Sequence, residues 1–218
     1  MKISIGADGF LLLFGVLLAE NRAAGIICII CATIHELGHI FAAAVMKIRL
    51  RELKIGFAGA RIYPQNEVLP YKKEFFLCAA GPFVNLTFAF LGVFAFNVFF
   101  LNNGAVFEDR LIQVFDVLRG NSGDFEIMLL LFVIVSFMQA LVNLLPIEGL
   151  DGGRMMVSVI SQYSNAQTAY RAERAITFCT VTVMWLLSIY LLLKTSSGIG
   201  ILLCAASTFV KMIKTDGN

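Results

Sequence analysis

AAGIICIICATIHELGHIFAAAVMK, residues 23–47, decides how the rest of the chain is read. It is long enough for a bilayer-spanning helix, which needs about 20 apolar residues. Yet His35, Glu36 and His39 stand at its middle. On a helix, His35 and His39 are four positions apart and share one face. Two imidazoles so placed can bind one zinc ion (Zn2+), and Glu36 between them can act as general base on a water held there. The only histidines in the chain are these two. The competing reading is a chance match, or a polar pair between packed helices. Membrane depth argues against it, because ionisable groups there are costly and usually mark function.

The composition agrees with a membrane setting. Of 218 residues, 59% are hydrophobic and 15% charged, against about 45–50% and about 25% in soluble domains. Mean hydropathy is +0.83. A large soluble core would not produce runs free of charge, because a soluble helix of that length needs a polar face. A net charge of +2 gives no electrostatic footprint for nucleic acid. Five cysteines, 28, 31, 78, 179 and 204, all lie in apolar stretches and imply no disulfide framework. The apolar start lacks a small-x-small cleavage pattern and is read as a retained segment.

The expected fold is an all-α polytopic membrane protein of about six transmembrane helices. The spans are 3–19, 23–47, 75–101, 126–147, 175–193 and 197–213, the first being short in its strongly apolar part. Basic residues crowd 47–73 and 154–174, while 102–125 mixes both signs. The positive-inside rule then puts 47–73, 154–174 and both termini in the cytoplasm. Residues 53–63 (LKIGFAGARIY) mix β-formers with Gly56 and Gly59, so a short strand-like hairpin is expected in the first cytoplasmic loop. One domain over 1–218 is expected, with a core of roughly 24–165 and a helical tail over 166–218.

A catalytic zinc usually takes three protein ligands and leaves a fourth place for water. With no third histidine, the best candidate is Asp151 in NLLPIEGLDGGR, residues 143–154. It follows an apolar span that Pro146 interrupts, and irregular backbone at membrane depth is tolerated where it lines a wet cavity. Spacing alone leaves a second reading open: an Asp capping the next helix. Glu148 competes as the ligand, and Cys31, four residues before His35, offers a thiolate, though packing suits a buried cysteine better.

HELGH on one span, GPFVN (81–85) on the next and NLLPIEGLDGG at the end of a later one resemble the site-2 protease family of intramembrane zinc metalloproteases. The small size and the NLLPxxxLDGG form are most similar to its stage IV sporulation FB branch. The resemblance implies His35, His39 and Asp151 as zinc ligands and Glu36 as base and proton shuttle. It implies Asn143 as a donor that orients substrate or stabilises the oxyanion, and Asn85 as a residue facing the site; Asn85 and Pro146 are taken as substrate-binding candidates. A membrane-associated protein substrate is implied, such as the pro-form of a sporulation sigma factor, with inhibitory membrane partner proteins in a bacterial cytoplasmic or forespore-surrounding membrane. The strand-like segment, with Gly56, Phe57 and Gly59, could receive an extended substrate by strand addition. Two features depart from the family pattern: no PDZ insertion is found, and few residues follow the last span, so the regulatory C-terminal domain of some sporulation-type members is absent or was removed.

Two rival functions remain. A non-proteolytic zinc-binding membrane regulator would have no need of Glu36. A small transporter or channel would use the histidines and carboxylates as an ion pathway, but no inverted repeat accompanies them. Gly120-Asn121-Ser122-Gly123 fits a serine-protease pattern, yet no histidine is left to serve it, so a turn is expected there.

Overall fold

A computed structural model describes residues 2–5, 22–56, 59–64, 69–99, 107–118 and 123–195. Among these are six helices and a small three-stranded sheet. The helices are α1 (Arg22–Val45), α2 (Tyr71–Phe99), α3 (Phe107–Leu118), α4 (Phe125–Asn143), α5 (Asp151–Tyr163) and α6 (Ala166–Thr195). Four of them hold stretches long and apolar enough to cross a membrane: Ala24–Val45, Tyr71–Phe99, Phe125–Asn143 and Ala166–Tyr190. At about 1.5 Å per residue, the 24 residues of α1 reach roughly 36 Å, more than a hydrocarbon core of about 30 Å. Their outward faces carry Phe41, Phe90, Phe94 and Leu186, all well exposed. In water such a surface would aggregate; in lipid it is the ordinary exterior of a spanning helix.

Several boundaries differ from the sequence expectation. The proposed span 3–19 opens instead with a strand, β1 (Lys2–Ile5), and the rest of it lies outside the described residues, as does 197–213. The mixed-charge segment 102–125 holds α3, with Val114 and Val117 buried and Asp116 between them in sequence. A helical repeat of apolar residues was present there but was masked by the charge count. Residues 154–174 are not a loop: they form most of α5 and the start of α6. Helix α4 stops at Asn143, before Pro146, which cannot supply the N–H a continuing helix needs.

The sheet has the order β1-β2-β3, with β2 at Leu50–Gly56 and β3 at Gly59–Pro64. Strands β2 and β3 pair antiparallel, Gly56 opposite Gly59, and β1 pairs with β2 in parallel. Helix α1 hands the chain to this sheet through a Schellman-type end. The Ile48 N–H donates to the Ala43 carbonyl at 2.8 Å and the Lys47 N–H to that of Ala44 at 3.1 Å. Lys47 takes the left-handed conformation there, φ 54°.

The chain divides into two compact units, residues 1–69 with 79–142, and residues 70–78 with 143–218. The first has a core of Ile27, Cys31, Phe96, Val114, Val117, Ile127, Leu130 and Leu131. There Cys31 Sγ lies 3.2 Å from Ser136 Oγ and so turns towards α4. Arg110 pairs with Glu126 at 3.0 Å, tying α3 to α4. In the second unit α5 packs on α6, and Arg154 pairs with Glu74 at 3.3 Å. Burial works against the Arg154 charge, but Cys78, Glu74 and Asp151 outweigh it and raise its pKa above the ordinary arginine value.

Candidate metal centre and active site

Helix α1 presents His35 and His39 one turn apart, both buried. Their rings stand edge to face, with centroids 4.8 Å apart, and the two Nε2 atoms face each other at 3.2 Å. Two zinc–nitrogen bonds of about 2.0–2.1 Å at a tetrahedral angle put the nitrogens roughly 3.3–3.4 Å apart. The pair is therefore set at the spacing one ion requires. Glu36, the next residue along the helix, has a buried Oε2.

The Gly-Pro of GPFVN makes room for this pair. A methyl placed on Gly81 would lie 2.5 Å from His39 Nε2 and 2.6 Å from His35 Nε2. Only a bare backbone fits against both ring nitrogens. Gly38, inside HELGH, meets α2 in the same way: a methyl there would lie 2.8 Å from the Ala80 carbonyl oxygen. The two glycines thus let α1 and α2 approach closely. Asn85, one turn after Gly81, is wholly buried. Its Nδ2 lies 3.5 Å from His35 Nδ1 and donates to Gln139 Oε1 at 3.2 Å.

Asp151 is the first residue of α5 and follows a tight connection. The Ile147 N–H donates to the Leu145 carbonyl at 2.8 Å and the Leu150 N–H to the Ile147 carbonyl at 3.0 Å. Gly149 turns the chain at φ 91°, a conformation that favours glycine. Gly152 and Gly153 take the connection's carbonyls directly against their backbone: a methyl on Gly152 would strike the carbonyls of Leu144 and Leu145, and one on Gly153 that of Ile147. The double glycine after Asp151 is therefore a packing requirement. The capping position belongs to Leu150, with no side-chain cap, so the capping alternative for Asp151 does not hold. A carboxylate in the first turn also suits the helix dipole.

His35 and His39 lie in the first unit and Asp151 in the second, and these three, with Glu148 and Cys31 as alternatives, are the candidate ligands. The Glu148 backbone N–H donates to Thr177 Oγ1 at 2.9 Å. Two imidazole nitrogens and one carboxylate are a donor set that catalytic zinc sites use, so the residues fit the ion. Asn143 is the last residue of α4 and Pro146 lies in the connection. Gly56 and Gly59 face each other across the β2–β3 pair, and Phe57 lies outside the described residues. Gly81 as a wall and Gln139 as a neighbour of Asn85 were not singled out from sequence; a polar Gln139 inside an apolar span was the available signal.

The model of peptidase family M50 matches residues 23–187. The chain belongs to peptidase family M50. Peptidases of family M50 are zinc metalloproteases. This M50 chain is 26% identical over 174 residues to the stage IV sporulation protein FB of Bacillus subtilis (strain 168), an alignment covering 78% of the chain and 52% of that protein. It spans about half the length of that curated relative. Among solved structures it resembles the site-2 protease from Methanocaldococcus jannaschii, with a TM-score of 0.67 and 16% identity over 98% of the chain and 91% of that structure. At that identity the likeness shows a shared fold. Family and apolar helices together make this M50 chain an integral membrane protein of the site-2 protease family.

Proposed function

We propose that the chain is an intramembrane zinc metalloendopeptidase that hydrolyses a peptide bond in or near a membrane-associated substrate segment. The observation that carries this reading is the facing Nε2 pair of His35 and His39, 3.2 Å apart, with a glutamate between the two histidines in sequence. His35, His39 and Asp151 would hold the ion. Bound there, zinc would lower the pKa of a water to about 7 and polarise a peptide carbonyl.

The chain's own residues do the rest. Glu36 takes the proton of the attacking water and returns it to the leaving amine. Asn143 donates to the carbonyl oxygen as negative charge gathers on it. A substrate helix must unwind first, because helical amides are engaged in their own hydrogen bonds. The β2–β3 hairpin, with Gly56, Phe57 and Gly59, receives the unwound strand by main-chain pairing, and Pro146 belongs to the substrate side of the site. The crowding of basic residues in 47–73 supports a site that opens to the cytoplasm. Similarity to a stage IV sporulation protein supports a finer proposal, activation of a sporulation sigma factor precursor under inhibitory membrane partners.

The test is zinc content by elemental analysis of detergent-purified protein, for the wild type and Asp151→Ala. About one zinc per chain, lost in the variant, is the expected result for a three-ligand site. Zinc in neither protein would overturn the reading; zinc kept in the variant would move the third ligand to Glu148 or Cys31.

A further inference from the structure

Asn85 is completely buried, and its Oδ1 makes no hydrogen bond. The opposite edge of the same amide faces His35 Nδ1 at 3.5 Å and Gln139 Oε1 at 3.2 Å. As drawn, Nδ2 can donate to His35 Nδ1 only if that nitrogen carries no proton. The proton is then on Nε2, where it can be shared with His39 Nε2 across 3.2 Å.

A ring that gives Nε2 to a metal keeps its proton on Nδ1, and that N–H needs an acceptor. An amide edge offering Nδ2 would then set donor against donor. The two ends of an asparagine amide are interchangeable in shape, so a half-turn brings the unused Oδ1 to the His35 side. Gln139 must turn with it, presenting its own N–H to the same oxygen. The half-turn leaves the Asn85 NH2 where Oδ1 had no partner, so the gain comes from the two bonds that Oδ1 then accepts.

We propose that Asn85 is a positioning residue for the metal centre. Its Oδ1 accepts the His35 Nδ1–H and so fixes the tautomer and the plane of the ring that offers Nε2 to the ion. This rests on the zinc reading above. It assigns Asn85 a role behind the ligand, through His35, in place of contact with substrate. Partners of this kind are typically worth about 10–100-fold in metal affinity.

With only two histidines in the chain, ring-nitrogen NMR of 15N-histidine-labelled protein reads the tautomers directly. In zinc-loaded wild type, His35 is expected to carry a slowly exchanging proton on Nδ1. In competition with a chelator, Asn85→Leu is expected to weaken zinc binding about 10–100-fold. Asn85→Asp, which keeps the size and the acceptor, is expected to hold zinc within a few-fold of wild type. A proton on Nε2 and metal on Nδ1 of His35 in the wild type would overturn the proposal, whatever the variants do. So would unchanged affinity in Asn85→Leu while the wild type binds one zinc, and that result would leave the metalloprotease reading intact. A wild type that binds no zinc would remove both.

Discussion

Replacing Gly81 by alanine adds one methyl group where the structure has least room for it. That methyl would sit 2.5 Å from His39 Nε2 and 2.6 Å from His35 Nε2. An ordinary contact needs about 3.4 Å, so each ring must retreat by roughly 0.8–0.9 Å, or α2 must move away as a body. Zinc–ligand distances tolerate only about 0.2 Å, and a misplacement of about 1 Å typically costs about 100-fold in rate. Gly81→Ala is therefore expected to lose zinc at least 100-fold more readily, about 2.7 kcal/mol, and to lose cleavage in parallel. The control is Gly92→Ala, where the new methyl would strike Val133 Cγ2 on α4. It carries a similar overpacking strain, about 1–3 kcal/mol of stability, but touches neither histidine. Zinc retention by chelator competition and thermal unfolding in detergent separate the two effects. A Gly81→Ala protein that keeps one zinc at wild-type affinity would refute the argument that this wall sets the ligand spacing.

Three further outcomes are expected. Glu36→Gln keeps zinc but slows peptide hydrolysis by about 100-fold or more, because a general base is lost while the ligands stay; full activity in that variant would show that Glu36 is not the general base. Gly152→Ala drives a methyl into the carbonyls of Leu144 and Leu145, which are main chain and cannot swing aside. Its unfolding midpoint in detergent should drop by several degrees, and an unchanged midpoint would show that the connection is looser than described. Proline placed singly along 55–60 should impair cleavage wherever it removes a pairing N–H, without affecting zinc; intact cleavage throughout would end the strand-addition proposal.

Much of this molecule can be read from a few residues. HELGH in an apolar run names a helix, a shared face and a metal, because the four-residue spacing has one geometric consequence on a helix. The four spans within the described residues follow from length and apolarity alone, with most ends displaced by one to four residues and the start of the last by nine. What resisted reading was of two kinds. Helix α3 and the charged start of α6 carry too much charge for a hydropathy window, although their apolar residues recur at helical spacing. Gly81, Gly152 and Gly153 matter for what would collide with an added side chain. That depends on which backbone lies opposite, and no local pattern encodes it.

The wall of main chain behind the histidines also limits how such an enzyme can diversify. Where Gly38 meets Ala80 and Gly81 meets both ring nitrogens, there is no side chain to exchange for a larger or more polar one. Single substitutions cannot adjust that face gradually; they either leave it alone or break it. New specificities must then arise at other surfaces, while this face is inherited nearly unchanged. A site bounded by backbone is in this sense closed to tinkering, and substrate choice has to evolve around it.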